Sequence, residues 1–453
     1  MIRTARPAAL GLVLAILALA LATLGGTVVA AIDFGLGGKQ ALALGGVMLE
    51  RRATYAALFA MAGVALTASA LALTVRPGTV RGVALAALAM LGGAIPAHFA
   101  AVGAARLART EIVDASATAY AARPATAYPD AGRIRTLIDL PSAEAAAVRR
   151  TALIELIWKT PELPPTLPAQ VQPDFPDPTG GRLRNLARDT RLTIPMEHGF
   201  AAVVDYFTPK TPSGAPVLYN HGHVGNHLAD DALAVIDALL ADGHPVAAFT
   251  MPGRAPNLVP STLTTVRAGE IPPAFDHDTY AYLETPDFSP LKLFLQPLVA
   301  TVNWLKDAPD GPRAAEVDAV GFSGGGWTVT VAAAVDPRIV RSFPVAGSLP
   351  LYLMAAAPNA RLGDYEQLHP ALLARANFLE LYVLGGAGAG RRQVQILNQF
   401  DGCCYRGVGA RDYAPVVAEA AARLGGGYDL LLTDGTRHEV NAEALARIRA
   451  GLR

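Results

Sequence analysis

From residue 190 onward, short apolar runs alternate with segments of helical period, and this alternation leaves the chain few architectures. RLTIPM and FAAVVDYFTPK alternate apolar and polar positions on either side of a His-Gly pair, which predicts an antiparallel hairpin. PVLYNHGH reads as a buried strand ending in a polar loop, LADDALAVIDALLADG as a helix closed by glycine, and PVAAFTMPG as the next strand. After a long irregular stretch, SPLKLFLQPLVATVNWLKDA predicts a helix. VDAVGFS, RSFPVAG, VQILNQFD and DLLLTD predict further strands with helices between them. Strands that are apolar throughout and separated by helices need cover on both faces. The expected fold is α/β, a mostly parallel sheet with helices on both faces. Such sheets take ligands at the carboxyl ends of their strands.

At 453 residues the chain is long enough for a catalytic domain and additional regions. Hydrophobic residues make up 52% and mean hydropathy is +0.31, and the excess lies in the first hundred-odd residues. The runs 8–31, 54–75 and 83–105 each reach the roughly 20 apolar residues that span a bilayer core. They predict three transmembrane helices within a region covering 1–105. Arg3 and Arg6 would suit a signal peptide, but the first run is too long for a usual apolar signal core and two similar runs follow. Lys39, Arg51, Arg52, Arg76, Arg81, Arg106 and Arg109 bias neither side strongly. With the basic N-terminus inside, three spans place the C-terminal domain outside the cytoplasm. His98, beside Pro96 near the end of the third run, is expected to pack or to sit at the interface. Residues 106–190 predict a proline-rich connector with one or two short helices inside 134–159. Residues 191–453 predict the catalytic domain, with cap segments at 250–295 and 355–390. A formal net charge of zero offers no basic surface for nucleic acid. The two cysteines, Cys403 and Cys404, are neighbours and make no disulfide framework.

The chemistry concentrates at VDAVGFSGGGW, residues 317–327. Glycine suits positive φ or close approach of another group, so a serine among glycines at a strand-to-helix corner is held away from the backbone and reachable. Ser323 is the candidate nucleophile. A hydroxyl needs a base, the base needs a partner that fixes its tautomer, and the oxyanion needs donors already in place. His438, in the loop after the last predicted strand, is the candidate base. Asp401 is the candidate acid, at the end of VQILNQFD; Asp434 and Asp364 are the rivals. The amide of Gly324 is the first oxyanion donor. The loop Asn220 to Gly225 supplies the second, the amide of His223, with Gly222 giving the turn its freedom.

Taken together, HGH after an early strand, GFSGG, Asp401 and His438 resemble the α/β-hydrolase superfamily over roughly residues 190–453. The chain order Ser, Asp, His matches that fold. The resemblance implies that Ser323 is the nucleophile, His438 the base and Asp401 the acid, with oxyanion amides from His223 and Gly324. It implies hydrolysis of a carboxylic ester or an amide, small or lipid-like, with no metal, nucleotide or flavin. The loop HGHVG departs from the HGGG form of many lipases and esterases, and the membrane runs are an addition to the fold. Two other readings remain. His221, His223 and His227 form HxHxxxH, a pattern that could serve a metal-dependent hydrolase. The domain could instead be a degenerate hydrolase fold acting as a membrane-tethered binding module.

Overall fold

The computed structural model describes residues 41–44, 47–50, 129–273, 277–355, 359 and 363–452. The chain divides into two compact units, Met1–Ile112 and Val113–Arg453. In the first, the described residues are two short antiparallel strands, Ala41–Leu44 and Val47–Glu50. The apolar runs 8–31, 54–75 and 83–105, with His98, lie outside the described residues. Among the described residues no helix is long and apolar enough to cross a membrane.

The second unit is built on nine strands: β1 (Gln170–Pro173), β2 (Leu186–Pro195), β3 (Ala201–Pro209), β4 (Val217–Asn220), β5 (Val246–Phe249), β6 (Val317–Phe322), β7 (Ile339–Val345), β8 (Arg392–Asn398) and β9 (Gly427–Thr433). They form one sheet in the order β9-β8-β7-β6-β4-β5-β3-β2-β1. The strands β5, β4, β6, β7, β8 and β9 are parallel. β3 joins β5 antiparallel, and β2 and β1 continue that antiparallel edge. The expected hairpin is β2–β3, turned at Glu197–Gly199. β5 follows β4 in sequence, yet β6 returns to pair with the other side of β4. The sheet therefore grows in opposite directions from β4, the kind of switch point at which open α/β sheets take ligands.

The helices include α1 (Ala131–Thr136), α2 (Ala143–Trp158), α3 (Asp230–Ala241), α4 (Lys292–Asp307), α5 (Gly324–Val335), α6 (Phe378–Gly386), α7 (Ala410–Arg423) and α8 (Ala442–Leu452); two more short ones lie at Leu351–Met354 and Pro370–Arg375. Successive strand residues point to opposite faces. Leu218, Ala247 and Ala319 accordingly join a core with α2, α4, α5, α6 and α7, while Val217, Tyr219, Val246 and Val320 join a second core with α3 and α8. Every residue of α5 is buried, as expected of a helix that is apolar all round.

Two expectations change. From residue 131 on, the predicted connector is part of the packed unit. Ser142 caps α2 by accepting from the Ala145 N–H at 3.2 Å, and the helix runs unbroken to Trp158. It buries Leu153, Ile157 and Trp158 in the first core. Trp158 Nε1 donates to Gln296 at 2.6 Å, and Asn303 Nδ2 donates to the carbonyls of Pro164 and Thr166 at 2.9 and 2.8 Å. The prolines fall beside an edge strand, where a missing N–H breaks no central ladder. The segment 355–390 is likewise not one cap, because α6 is buried along its whole length and forms the crossover from β7 to β8. The segment 250–291 holds a small antiparallel pair, Leu263–Thr265 with Gly269–Ile271, and a 3₁₀ turn at His277–Leu283.

Candidate active site

β6 ends at Phe322 and α5 starts at Gly324, so Ser323 alone turns the chain. Its φ of 55° and ψ of −123° lie in a region that L-residues avoid, at a cost of about 1–3 kcal/mol. Backbone bonds on both sides hold it there: the Ser323 N–H donates to the Val345 carbonyl at 2.8 Å, and the Trp327 N–H donates to the Ser323 carbonyl at 3.1 Å. The surrounding glycines permit close approach, while the positive φ falls on the serine itself. A Cβ on Gly321 would lie 2.2 Å from the Gly325 carbonyl oxygen, and one on Gly325 only 2.0 Å from that of Asn220.

Asp401 lies three residues beyond the end of β8 and is fully buried. Its Oδ2 accepts from His438 Nδ1 at 2.8 Å. Its Oδ1 accepts from the N–H groups of Cys403 and Cys404 at 2.7 and 3.0 Å. Those two cysteines are disulfide-bonded to each other. An ionised carboxylate only accepts, so Nδ1 carries the ring hydrogen and Nε2 of the neutral imidazole presents a lone pair. That Nε2 is buried and has no hydrogen-bond partner among the described residues. The Phe322 ring, one residue before Ser323, lies 4.8 Å from the His438 ring between centroids. The imidazole thus stands beside the elbow with its basic nitrogen unsatisfied.

The rival acids go elsewhere. Asp434 is exposed and accepts from Gln399 Nε2. Asp364 Oδ2 lies 3.2 Å from His223 Nε2. Sequence reasoning missed Asn398, the last residue of β8. It is buried, and its Nδ2 donates to the carbonyls of Arg437 and Glu439 at 3.0 and 2.9 Å, gripping the loop on both sides of His438. The Gly402 N–H donates to the Thr436 carbonyl at 3.1 Å, zipping the Asp401 loop to the His438 loop. A polar residue directly after the apolar pair Ile396-Leu397 at the strand's end was the available signal.

The loop after β4 presses on the elbow. A Cβ on Gly222 would stand 2.7 Å from Ser323 Cβ and 3.3 Å from its Oγ. The His223 ring covers Gly324, where a Cβ would come within 2.4 Å of the imidazole. The first amides of α5, that of Gly324 included, have no acceptor within the helix, and the helix dipole favours negative charge there.

The HxHxxxH metal reading is corrected, because its three histidines have separate partners. His221 Nε2 donates to the Val224 carbonyl at 3.1 Å and Nδ1 faces the Tyr219 hydroxyl at 3.3 Å, while burial pushes its pKa below the ordinary value. His227 Nε2 donates to the buried Asp205 at 2.8 Å and Nδ1 meets the Thr250 hydroxyl at 2.7 Å. His223 Nε2 lies 2.7 Å from Glu366. Despite the penalty of burial, that carboxylate raises the His223 pKa.

No protein-family model and no curated protein matches the sequence. Among solved structures, the Pyrococcus furiosus esterase Pf2001 is 16% identical, with 63% of this chain and 97% of that one covered at a TM-score of 0.41. Acetyl xylan esterase 1 from Thermoanaerobacterium sp. JW/SL YS485 is 15% identical, covering 71% and 96% at 0.44. The acetyl xylan esterase from Paenibacillus sp. R4 is 16% identical, covering 71% and 99% at 0.45. Likeness at this level carries no argument for activity.

Proposed function

We propose that the chain is a serine hydrolase of carboxylic esters working through an acyl-enzyme. The observation that carries this reading is the unpartnered, buried Nε2 of His438 beside the Ser323 elbow, with Nδ1 bonded to Asp401 at 2.8 Å. Ser323 Oγ attacks the ester carbonyl carbon as His438 Nε2 takes its proton. The tetrahedral oxyanion meets the amides of Gly324 and His223. Collapse breaks the ester C–O bond, and the Nε2 proton goes to the departing alkoxide. Water, deprotonated by His438, then attacks the acyl carbon, releasing the acid and restoring Ser323. Asp401 stays ionised and stabilises the imidazolium. In this reading the catalytic machinery occupies residues 191–453, and segments of 250–295 and of 355–377, ahead of α6, shape the substrate's access. The runs 8–31, 54–75 and 83–105 tether this domain at the outer face of a membrane, where small or lipid-like esters reach it.

Fluorophosphonate labelling of wild type and Ser323→Ala, in membranes, tests the nucleophile. Label present in wild type and absent from the variant is the expected result. Equal labelling of both proteins, or ester turnover by Ser323→Ala at the wild-type rate, would remove the assignment. Membrane fractionation of the full chain tests the tether: release of the protein by alkaline carbonate washing would refute spanning helices.

A further inference from the structure

His223, His277 and Glu366 reach one point from three separate pieces of chain: the loop after β4, the 3₁₀ turn His277–Leu283 and a second 3₁₀ turn, Tyr365–Leu368. Glu366 is fully buried. One of its oxygens lies 2.7 Å from His223 Nε2 and the other 3.1 Å from His277 Nδ1. Asp364 Oδ2 approaches the same His223 nitrogen at 3.2 Å from the more exposed side.

The hydrogen count sets what the site requires. His277 Nε2 faces the Pro252 carbonyl oxygen at 3.1 Å. A carbonyl only accepts, so Nε2 carries the hydrogen, and Nδ1 of the neutral ring is a lone pair. That lone pair faces an oxygen of Glu366, which as a carboxylate also only accepts. Two acceptors therefore meet at 3.1 Å in a buried site, and a positive centre must lie between them.

We propose that this centre is a divalent transition-metal ion of the zinc class, held by His223 Nε2, His277 Nδ1 and the Glu366 carboxylate, whose ligand atoms all lie within 4.8 Å of one another, with water as the fourth ligand. Zinc takes nitrogen and carboxylate oxygen at about 2.0–2.2 Å in tetrahedral sites, so its ligand atoms stand roughly 3.3 Å apart. The separations from Glu366 to the two histidines are 3.1 Å, close to such an edge, and 2.7 Å, which would open by about 0.6 Å on binding. The bond from His277 Nε2 to a backbone carbonyl is the outer contact that metal-bound histidines make. The ion joins both turns to the loop carrying the His223 amide and Gly222, which abuts Ser323. Its role is to position that loop, and no step of ester cleavage passes through it. The competing centre is an extra proton on His277, which binds no metal.

The test uses the full chain, stripped with a chelator and titrated with zinc chloride by calorimetry. One zinc per chain is expected. Glu366→Gln and His277→Gln should each weaken binding by more than the ~100-fold that outer contacts are worth. Cobalt(II) should give the visible bands of a four-coordinate site in wild type and lose them in Glu366→Gln. His438→Ala should bind zinc as wild type does, which separates this site from the catalytic histidine and keeps the result independent of the ester reading. Circular dichroism checks the fold of each variant; if the buried substitutions unfold, His223→Gln, at the least buried of the three ligands, supplies the variant, with a comparable loss of affinity. No zinc on the folded wild type, unchanged affinity in the folded ligand variants, or loss of zinc in His438→Ala would each overturn the proposal.

Discussion

Asp401→Asn asks whether this carboxylate sets the tautomer of His438. Oδ1 accepts two backbone N–H groups, from Cys403 and Cys404, and Oδ2 accepts from His438 Nδ1. An asparagine here has two orientations. With its oxygen toward the two amides, its NH₂ donates to Nδ1 and forces the ring hydrogen onto Nε2, so no lone pair remains for the Ser323 proton. The reverse orientation turns the NH₂ toward two N–H donors and leaves both unpaired, at about 1–3 kcal/mol each. The inactive arrangement is thus favoured by at least roughly 2 kcal/mol, or a factor of about 30. In a serine protease triad the same substitution lowers kcat by about 10⁴, or roughly 5.4 kcal/mol of barrier. We predict a loss of that order in kcat/KM for an activated ester, with the near-ultraviolet circular dichroism unchanged. Asp434→Asn, whose side chain is exposed and bonded to Gln399, should lose less than about tenfold. If Asp401→Asn stays within tenfold of wild type, or Asp434→Asn falls further than it does, the tautomer argument is wrong.

Three other substitutions probe the supports of the site. Asn398→Ala leaves the carbonyls of Arg437 and Glu439 without their donor, so denaturant melts should show a loss of about 1–3 kcal/mol per orphaned group; an unchanged melting curve would refute the clamp. Gly222→Ala sets a methyl 2.7 Å from Ser323 Cβ, and a displacement near 1 Å at the reacting groups costs about 100-fold in rate; wild-type kcat/KM would show that the loop yields freely. Among the described residues the two buried side-chain oxygens of Asp189 have no hydrogen-bond partner, and burial, reinforced by the nearby Asp205, pushes its pKa up to about 8. The native state therefore keeps a proton that the unfolded chain has released. This contribution to stability is complete below about pH 4 and is lost as pH rises through about 8, by at most ~1.4 kcal/mol per unit. Asp189→Asn should flatten that slope in urea melts between pH 5 and pH 9, and an unaltered slope would count against the assignment.

The physical scale of each feature explains which parts of the molecule could be read along the chain. Val217, Leu218 and Tyr219 alternate between two cores because strand geometry has a period of two, and that period is written in neighbouring residues. Asp230 and Asp231 open α3 and Gly243 follows its end, as local capping and dipole rules direct. The compressed turn at Ser323 was legible for the same reason. Composition misled where it described the backbone and ignored the side chains. The prolines of residues 160–178 suit an extended linker or a wrapping arm alike, and Leu153, Ile157 and Trp158 just upstream bury themselves against the sheet's helices. The predicted second cap failed at α6 because its apolar residues suit a buried crossover as well as a lid.

The sequence by itself determined the α/β architecture, the strand-to-helix corner at Ser323 and the order in which serine, aspartate and histidine occur. Only the tertiary structure decided that Asp401, rather than Asp434 or Asp364, meets His438 across 37 residues, and that Asn398 grips the histidine loop. It also decided that His223 leaves the HxHxxxH run to meet Glu366, 143 residues away. Periodicity and turn chemistry act between neighbours, so they can be read along the chain. Partners in loops are chosen by how strand ends and turns converge once the sheet has formed, and no local pattern encodes that convergence.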